Sequence, residues 1–317
     1  MFARGKESSP QLKTRSDEKV LCCQGALWLN SYRMRAAAIL GLGDVSNTLA
    51  SFQQEAGVRW TSLIEQADAV AIFGGDGTIH RHLSTLVDLN VPVLVVPCGS
   101  GNDFARALGL RKVKQSLTAW KQFVERGNNV REIDLGVIHK TAGEGSALRE
   151  RYFCCIAGVG LDSEIARRAS DLPKWIRAHG GYALCAPREF LRFSPLAVKI
   201  SSNGDGAATF QPTILAAIAN APTYGGGMKI APRAKLDDGN LDLCTVRAMD
   251  AFKLFCLFPT VYFGRHLGFK EVKYEQSPRI KVETEHPFDV YADGELVCQT
   301  PVEFSVSQNA LKVIVPA

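Results

Sequence analysis

Residues 69–109 read AVAIFGGDGTIHRHLSTLVDLNVPVLVVPCGSGNDFARALG and contain one pattern twice. A continuous apolar run, Ala69–Phe73 or Val91–Val96, is followed by a glycine-rich loop and then by a segment with helical periodicity. Strands that are apolar at every position are typical of a parallel sheet covered by helices on both faces. The first half of the chain is therefore predicted to be an α/β domain.

The two glycine loops, Gly74–Thr78 and Gly99–Asp103, predict a phosphate site. Glycines after a strand let backbone N–H groups approach phosphate oxygens, and the following helix start adds partial positive charge. Two tight turns are the simpler alternative, but the acidic residue within each loop favours a ligand site. Because GxxxxGK[ST] and a matching GxGxxG are absent, neither a P-loop NTPase nor an NAD dehydrogenase is supported.

The second half has short apolar runs separated by turn signals, with only two or three helical segments, which is typical of an antiparallel sandwich. The predicted fold class is thus α/β plus β. We predict three parts: an extension of uncertain order at 1–33, an α/β nucleotide-binding domain at 34–136, and a β-sandwich substrate domain at 137–317, whose last strand is a candidate to return to the first domain. The candidate strands are Tyr152–Gly158, Ala197–Ser201, Thr213–Ala219, Leu241–Arg247, Arg279–Thr284, Phe288–Tyr291, Val302–Val306 and Leu311–Val315.

Composition restricts the class of protein. The 317 residues are 46% hydrophobic with a formal net charge of +5, which suits anionic small molecules or a membrane surface and is too small to argue for nucleic acid. The nine cysteines form no CxxC pair and are read as reduced thiols. The amino terminus has no signal-like apolar region, and no window of 18 apolar residues is found. We expect a cytoplasmic protein with peripheral membrane contact.

Several ordered motifs carry a family resemblance. With FGGDGTIHRHL at 73–83 and VPVLVVPCGSGNDFARALG at 91–109, the chain resembles the diacylglycerol kinase catalytic-domain family, which includes bacterial soluble lipid kinases, sphingosine kinases and ceramide kinases. The resemblance covers about residues 36–317. It implies a Rossmann-like nucleotide domain of the NAD kinase and phosphofructokinase type, followed by an antiparallel β-sandwich. Further matches are IDLG at 133–136, GVGLD at 158–162, NAP at 220–222, YGGG at 224–227, KLDDGNLD at 235–242 and ADGE at 292–295.

The resemblance implies ATP as phosphate donor and Mg²⁺ as cofactor. By resemblance to the bacterial lipid kinases, the implied catalytic carboxylate is Glu295, with Asp293 beside it. In sphingosine-kinase-like members the corresponding base is the aspartate of GGDG, here Asp76. We rank Glu295 as the first candidate for the base and Asp76 as the second. A carboxylate among phosphates needs a metal or a proton, so Asp76 should bind Mg²⁺ through water or act as base, and a helix cap is the alternative. The implied ATP-binding residues are Gly74, Gly75, Asp76, Gly77, Thr78, Ser100, Gly101, Asn102 and Asp103.

The chain departs from the family pattern at three places. The first strand ends in AAILGLGD at 37–44 where the family usually has an Asn-Pro pair and a glycine. His80 replaces the usual Asn after GGDGT-I, and Ser100 replaces a common Thr. His80 and His82 are two apart on a predicted helix, so they should face different ways and give no metal site.

A second, structural metal is implied by resemblance at Lys235–Asn240, with Asp238 and main-chain oxygens of Lys235 and Asn240 as ligands. All are hard oxygen donors, which suit Mg²⁺ or Ca²⁺, and an ordinary Asp-Gly turn is an equally open alternative.

The expected acceptor is the hydroxyl of a membrane lipid, most simply diacylglycerol. The aromatic residues of 252–263 could line an apolar lip, although such a stripe at helical spacing is more often core. The segment 167–192 carries six basic residues around Trp175 and could contact anionic lipid, a solvated face being the simpler alternative. An NAD kinase, a catalytically silent lipid- or nucleotide-binding protein, and a homodimer stay open.

Overall fold

The computed structural model describes residues 34–140, 151–171, 189–190, 192–202 and 208–317. The predicted extension at 1–33, most of the predicted helix 182–192 and the Trp175 end of the basic segment lie outside the described residues. No helix in the described ranges is long and apolar enough to cross a membrane.

The amino-terminal half contains the predicted α/β unit. Its four strands are parallel and lie in the order β2-β1-β3-β4. A 3-10 turn at Ile64–Gln66 precedes β3. The elements are β1 (Met34–Leu40), α1 (Ser46–Gln53), β2 (Val58–Thr61), β3 (Ala69–Gly74), α2 (Asp76–Leu89), β4 (Val93–Pro97), α3 (Asp103–Ala107) and α4 (Val113–Arg126).

The remaining strands pair antiparallel with one another, as predicted for the second half. The strands are β5 (Val130–Lys140), β6 (Arg151–Phe153), β7 (Ile156–Gly160), β8 (Leu196–Ser202), β9 (Gln211–Ala219), β10 (Leu241–Arg247), β11 (Val272–Ser277), β12 (Arg279–Thr284), β13 (Asp289–Ala292), β14 (Glu295–Gln299) and β15 (Val302–Ile314). The helices are α5 (Leu161–Asp171) and α6 (Ala251–Val261), and a 3-10 turn lies at His266–Gly268.

Strand β15 joins the two halves. It pairs antiparallel with β5 over most of its length and parallel with β4 at Val313 and Val93, so the described strands form one continuous sheet. The sequence predicted two strands at 302–306 and 311–315. The structure has one strand with an irregularity between Ser307 and Leu311, where Asn309 has a φ of 51°. Its polar residues 307–309 hide the continuity from a pattern of apolar runs.

Buried side chains form two clusters, one that runs from the α/β half to α6 and one within the antiparallel part. The larger contains every residue of Ala69–Phe73 and continues to the inner face of α6. Phe52 of α1 packs edge-on against Phe73 with ring centroids 5.0 Å apart, and burying such a ring contributes about 1.5–3 kcal/mol. The smaller cluster lies within the antiparallel part and includes Phe153 and Phe304. The first glycine loop follows Phe73 of the larger cluster, and the Asp293–Glu295 turn follows Ala292 of the smaller one.

Some local predictions differ from the structure. The predicted strand Tyr152–Gly158 is interrupted by a bend at Cys154 and Cys155, because the backbone there turns toward the carboxylate of Asp293. Strands β2, β5, β11 and β14 were not predicted. All but β5 are four to six residues long and contain charged or polar residues, so their apolar signal is weak.

Candidate active site

The two glycine loops lie against each other at the carboxyl edge of the parallel strands. Strands β3 and β4 are neighbours in register from Val70 with Val93 to Gly74 with Pro97. A Cβ added at Gly99 would lie 2.4 Å from the Cα of Gly75, a distance that no side chain tolerates. The amide of Asn102 holds the second loop by accepting the Gly99 N–H at 2.9 Å and donating to the Gly99 oxygen. The two predicted loops therefore line one crevice.

Asp76 connects the two loops. It begins α2, yet its carboxylate accepts the backbone N–H groups of Asp103 and Phe104, each at 3.0 Å, and so caps the neighbouring helix α3. The sequence analysis gave a helix cap as the alternative role of Asp76. Its carboxylate does cap a helix, but that helix is α3 and not α2, which Asp76 begins. Burial, reinforced by the nearby carboxylate of Asp103, raises the pKa of Asp76 to about 6 from 3.8. Such a carboxyl group binds a proton or a cation readily near neutral pH.

Asp103 connects the loops to the antiparallel half. Its buried carboxylate accepts the N–H of Gly226 at 2.7 Å and contacts the guanidinium of Arg106. Burial raises the pKa of Asp103, and the Gly226 hydrogen bond opposes that shift. Asn102 directly precedes α3, and the side chain of Ser100 is exposed. Asp103 is therefore a structural link as well as a predicted ATP-binding residue.

The turn at Asp293–Glu295 reaches over the start of α2. The Asp293 carboxylate accepts the N–H groups of Cys154 at 2.9 Å, Cys155 at 2.8 Å and Ile156 at 3.2 Å. Burial would raise the pKa of Asp293, but the hydrogen bond from His80 and these backbone N–H groups hold it below its usual value. An oxygen of Glu295 lies 3.2 Å from the position of a Cβ at Gly77. The structure thus brings Glu295, Asp293 and the first glycine loop together.

His80 also belongs to this cluster, a role that the sequence analysis did not assign to it. Its Nδ1–H donates to Asp293 at 3.1 Å, and its side chain is 13% exposed. Burial would lower the pKa of His80, but the Asp293 carboxylate outweighs it and raises the value. The signal in the sequence is the spacing, since His80 lies one helical turn after Asp76 on the same face.

Two buried thiols, Cys154 and Cys155, lie beside Asp293 within metal-binding distance of its carboxylate. Burial raises the pKa of Cys154 to about 12, and the pKa of Cys155 is also raised, so both are protonated at neutral pH. A thiol must lose its proton to ligate a metal, and Asp293 already accepts several hydrogen bonds. The hydrogen bonds to Asp293 therefore support a role of this cluster in holding the turn.

An apolar cavity is lined in part by Tyr224, which lies two residues before Gly226, the residue whose N–H donates to Asp103. Among the described residues that line it, Asp162 alone is charged. Its volume of about 40 Å³ accommodates a water but not a chain without movement of its walls. Burial raises the pKa of Asp162 to about 7, opposed by a hydrogen bond with Tyr224. The sequence assigned neither residue a role. The lining residues are Leu161, Asp162, Ile165, Phe190, Ile214, Leu215, Tyr224, Met228, Ile230, Val246, Leu254, Leu257, Phe258 and Val261.

The predicted metal loop, Lys235–Asn240, lies apart from this crevice. Asp134 of the IDLG motif holds it, accepting the N–H of Gly239 at 2.8 Å and that of Asn309 at 2.9 Å. Asp238 accepts the N–H of Asn240 at 3.1 Å, and Lys235 is exposed. The loop therefore offers one half-buried carboxylate within an Asp-Gly turn, so a turn and a hard-cation site both remain compatible with the geometry.

Two family models match the chain. The model described as the diacylglycerol kinase catalytic domain matches residues 38–138. The model described as the YegS C-terminal NAD kinase beta sandwich-like domain matches residues 155–315. These two matches cover the α/β half and the antiparallel half in turn, in agreement with the predicted fold class.

Proteins with similar sequences are named diacylglycerol kinases, and a solved structure has a similar fold. A diacylglycerol kinase of Mycobacterium tuberculosis is 33% identical over 249 residues, which span 78% of this chain and 77% of the relative. One from Bacillus subtilis is 28% identical over 257 residues, spanning 80% and 79%. A crystal structure of a diacylglycerol kinase from Bacillus anthracis str. Sterne has a TM-score of 0.60 at 19% identity and covers 89% of this chain and 97% of that one. A likeness at that identity shows the fold.

Proposed function

This chain belongs to the diacylglycerol kinase catalytic-domain family, and on that premise we propose that it transfers the γ-phosphate of ATP to the hydroxyl of a membrane lipid. Diacylglycerol or a related lipid alcohol is the proposed acceptor. The observation that supports the proposal is the Glu295 carboxylate beside Gly77, because a carboxylate at the loop proposed to hold the phosphates could act as the general base.

The proposed donor site is the crevice between the two glycine loops. Backbone N–H groups of Gly74–Thr78, the start of α2 and the Ser100 hydroxyl would neutralise the phosphate oxygens. The raised pKa of Asp76 supports a cation at this point, since Mg²⁺ would relieve the repulsion between Asp76 and its neighbouring carboxylates. When bound with ATP, Mg²⁺ would supply charge neutralisation on the phosphates.

In the proposed reaction Glu295 accepts the proton of the acceptor hydroxyl as its oxygen attacks the γ-phosphorus. The bond from the γ-phosphorus to the bridging oxygen breaks, and ADP leaves with that oxygen. His80 and the backbone N–H groups of Cys154 and Cys155 fix the carboxylate of Asp293 by hydrogen bonds. Asp293 thereby anchors the turn that carries Glu295. Glu295 is therefore proposed as the base, and Asp293 and His80 as positioning residues.

The apolar cavity supports a lipid acceptor. Tyr224 lines it, and two residues later the N–H of Gly226 donates to Asp103 of the second glycine loop. Its walls are aliphatic and aromatic, and the Asp162–Tyr224 pair is the polar contact available to an oxygen of the acceptor. Because the cavity is small, we propose that the acyl chain enters as α6 and the side chain of Phe258 move.

The proposal is tested by transfer of labelled phosphate from Mg-ATP to diacylglycerol, a sphingoid base and free NAD. Wild-type protein is expected to phosphorylate a lipid alcohol. Glu295→Gln should lower kcat by at least about 100-fold with little change in the KM for ATP, because only proton removal is lost. Labelled NADP as the sole product would contradict the proposal.

Glu285→Gln is the matched control, since Glu285 is exposed on another turn of the sheet. It should keep the wild-type rate. Equal rates for Glu295→Gln and Glu285→Gln would remove Glu295 from the role of base and turn attention to Asp76→Asn. A chain that binds ATP but phosphorylates no acceptor would be the silent binding protein.

We also propose a structural cation at the loop of Asp238 and Asn240, with the main-chain oxygen of Lys235 as a further ligand. The donor set of one carboxylate and carbonyl oxygens supports Mg²⁺ or Ca²⁺. Adding the cation to chelator-treated protein should raise the Tm, and Asp238→Asn should abolish that increase.

A further inference from the structure

Helix α6, Ala251–Val261, is apolar on two opposite faces. Leu254, Leu257 and Val261 are buried and line the cavity. Phe252 and Phe255 on the other side are 78% and 57% exposed, and Phe263 just beyond the helix is 73% exposed. A helix that is apolar all round is normally buried on every side, so the exposed side needs a partner.

The outer face, defined as Phe252, Phe255, Cys256, Pro259 and Phe263, follows helical spacing. Phe252, Phe255, Pro259 and Phe263 recur every three or four residues, Cys256 is adjacent to Phe255 and four residues after Phe252, and all five are exposed. The one charged side chain within the helix, Lys253, forms an ion pair with Glu271 and so leaves no net charge beside the face. The outer face is therefore one continuous apolar strip with three large aromatic rings.

Exposed cations lie at the carboxyl-terminal end of the strip. The backbone N–H of Lys229 donates to Val261 at 3.1 Å, and that of Arg265 donates to Thr260 at 3.0 Å. Both side chains are exposed. The opposite end carries Asp250, whose carboxylate accepts the N–H of Lys253 and caps the helix. An aromatic strip with cations at one end is the composition of a helix that lies in a lipid interface.

We propose that the outer face of α6 inserts into the surface of an anionic lipid bilayer, with Lys229 and Arg265 on the headgroups. The choice of a bilayer rests on the proposed function, because the same helix lines the cavity proposed for the acceptor chain. A lipid drawn from that bilayer would then pass around α6 without crossing water. Lipid anions complement the two cations, which an apolar protein surface would leave without a counterion.

Co-sedimentation with vesicles in the absence of ATP tests the surface. On vesicles of equal parts phosphatidylcholine and phosphatidylglycerol, combined Phe252→Ser and Phe263→Ser should weaken binding by about tenfold or more. Leu63→Ser is the matched control, since Leu63 is 50% exposed beyond β2 and should bind as wild type does. Combined Lys229→Gln and Arg265→Gln should weaken binding to these vesicles and not to pure phosphatidylcholine.

Three results would overturn the proposal. Wild-type protein could fail to bind the mixed vesicles. The double serine variant could bind as tightly as wild type, or lose no more than Leu63→Ser. Finally, light scattering could find a wild-type dimer that the serine variant splits while vesicle binding is unchanged, which would assign the face to a second copy of the chain.

Kinase assays separate this inference from the proposed function. The double serine variant should keep the wild-type rate on a short-chain diacylglycerol dispersed as monomers and lose it on vesicle-embedded diacylglycerol. Equal rates on both would overturn the docking surface while supporting the kinase. Vesicle binding through this face without phosphorylation of either acceptor would overturn the kinase while supporting the surface.

Discussion

Asp76 and Asp293 lie in the same crevice, yet the pKa values of their carboxyl groups are displaced in opposite directions. Asp293 accepts three backbone N–H groups and the imidazole N–H of His80, which together outweigh the effect of burial. Asp76 accepts two N–H groups from the described residues and is near other carboxylates. Asp293 is therefore a fixed anion of the framework, and Asp76 is the group that responds to a proton or a cation.

At this scale we predict that His80→Leu destabilises the protein by about 1–3 kcal/mol, because Asp293 stays buried with one charged partner fewer. His80 has a folded-state pKa above its unfolded value. Its contribution is therefore fully present below the unfolded pKa, about 6.5, and is lost as pH rises through the folded pKa. Urea unfolding at a series of pH values should show the difference between wild type and variant shrinking toward alkaline pH.

The control for that prediction is His80→Asn, which can still donate to Asp293 but cannot titrate within this range. It should keep more activity than His80→Leu. The other groups acting on His80 are Glu295, whose charge raises its pKa, and Arg151, whose charge lowers it. A stability difference that is the same at every pH would show that the His80–Asp293 contact is not an ion pair.

Among the elements, the glycine loops are specified by local sequence and their mutual approach is not. Each loop could be located from an apolar run followed by glycines. The contact between Gly75 and Gly99 depends on β3 and β4 being neighbours, which hydrogen bonding of the two strands decides. The same holds for Gly41 after β1, where a Cβ would lie 2.8 Å from the Thr78 hydroxyl. The unusual AAILGLGD stretch thus still packs on the first glycine loop.

We predict that Gly99→Ala separates the two loops, because its Cβ would overlap the backbone of Gly75. The expected result is a loss of about 1–3 kcal/mol in the free energy of unfolding and a KM for ATP raised about tenfold or more. Gly43→Ala is the control, since no atom lies within 4 Å of a Cβ there, and it should stay within about 0.5 kcal/mol of wild type. Equal behaviour of the two variants would contradict the observed loop contact.

Across the whole molecule, β15 makes the α/β half and the antiparallel half one structure. Val313 is fully buried and pairs with Val93 of β4 on one side and with Arg131 of β5 on the other. The site depends on this connection, since Glu295 comes from one half and Gly77 from the other. A displacement between the halves would move the proposed base away from the phosphate loop.

We therefore predict that Val313→Ala destabilises both halves together, by about 1–3 kcal/mol, because it leaves a cavity where they join. In a background that carries Trp28→Phe and Trp175→Phe, tryptophan fluorescence reports on Trp60 and Trp120 of the α/β half. With and without Val313→Ala, fluorescence and circular dichroism should then give the same unfolding midpoint. Lys312→Ala, on the neighbouring half-buried side chain, should change stability much less. Separate midpoints for the two probes would show that the halves unfold independently.

The sequence by itself determined the fold class, the two glycine loops and the acidic residues that the family resemblance marks. These depend on hydrophobic periodicity and on short contiguous motifs, both of which are local. Only the tertiary structure decided that Asp76 caps α3, that His80 holds Asp293 and that α6 leaves three phenylalanines exposed. The first two contacts join elements that are far apart in the chain. The third depends on which side of an apolar helix the rest of the protein covers. Local periodicity encodes neither kind of information.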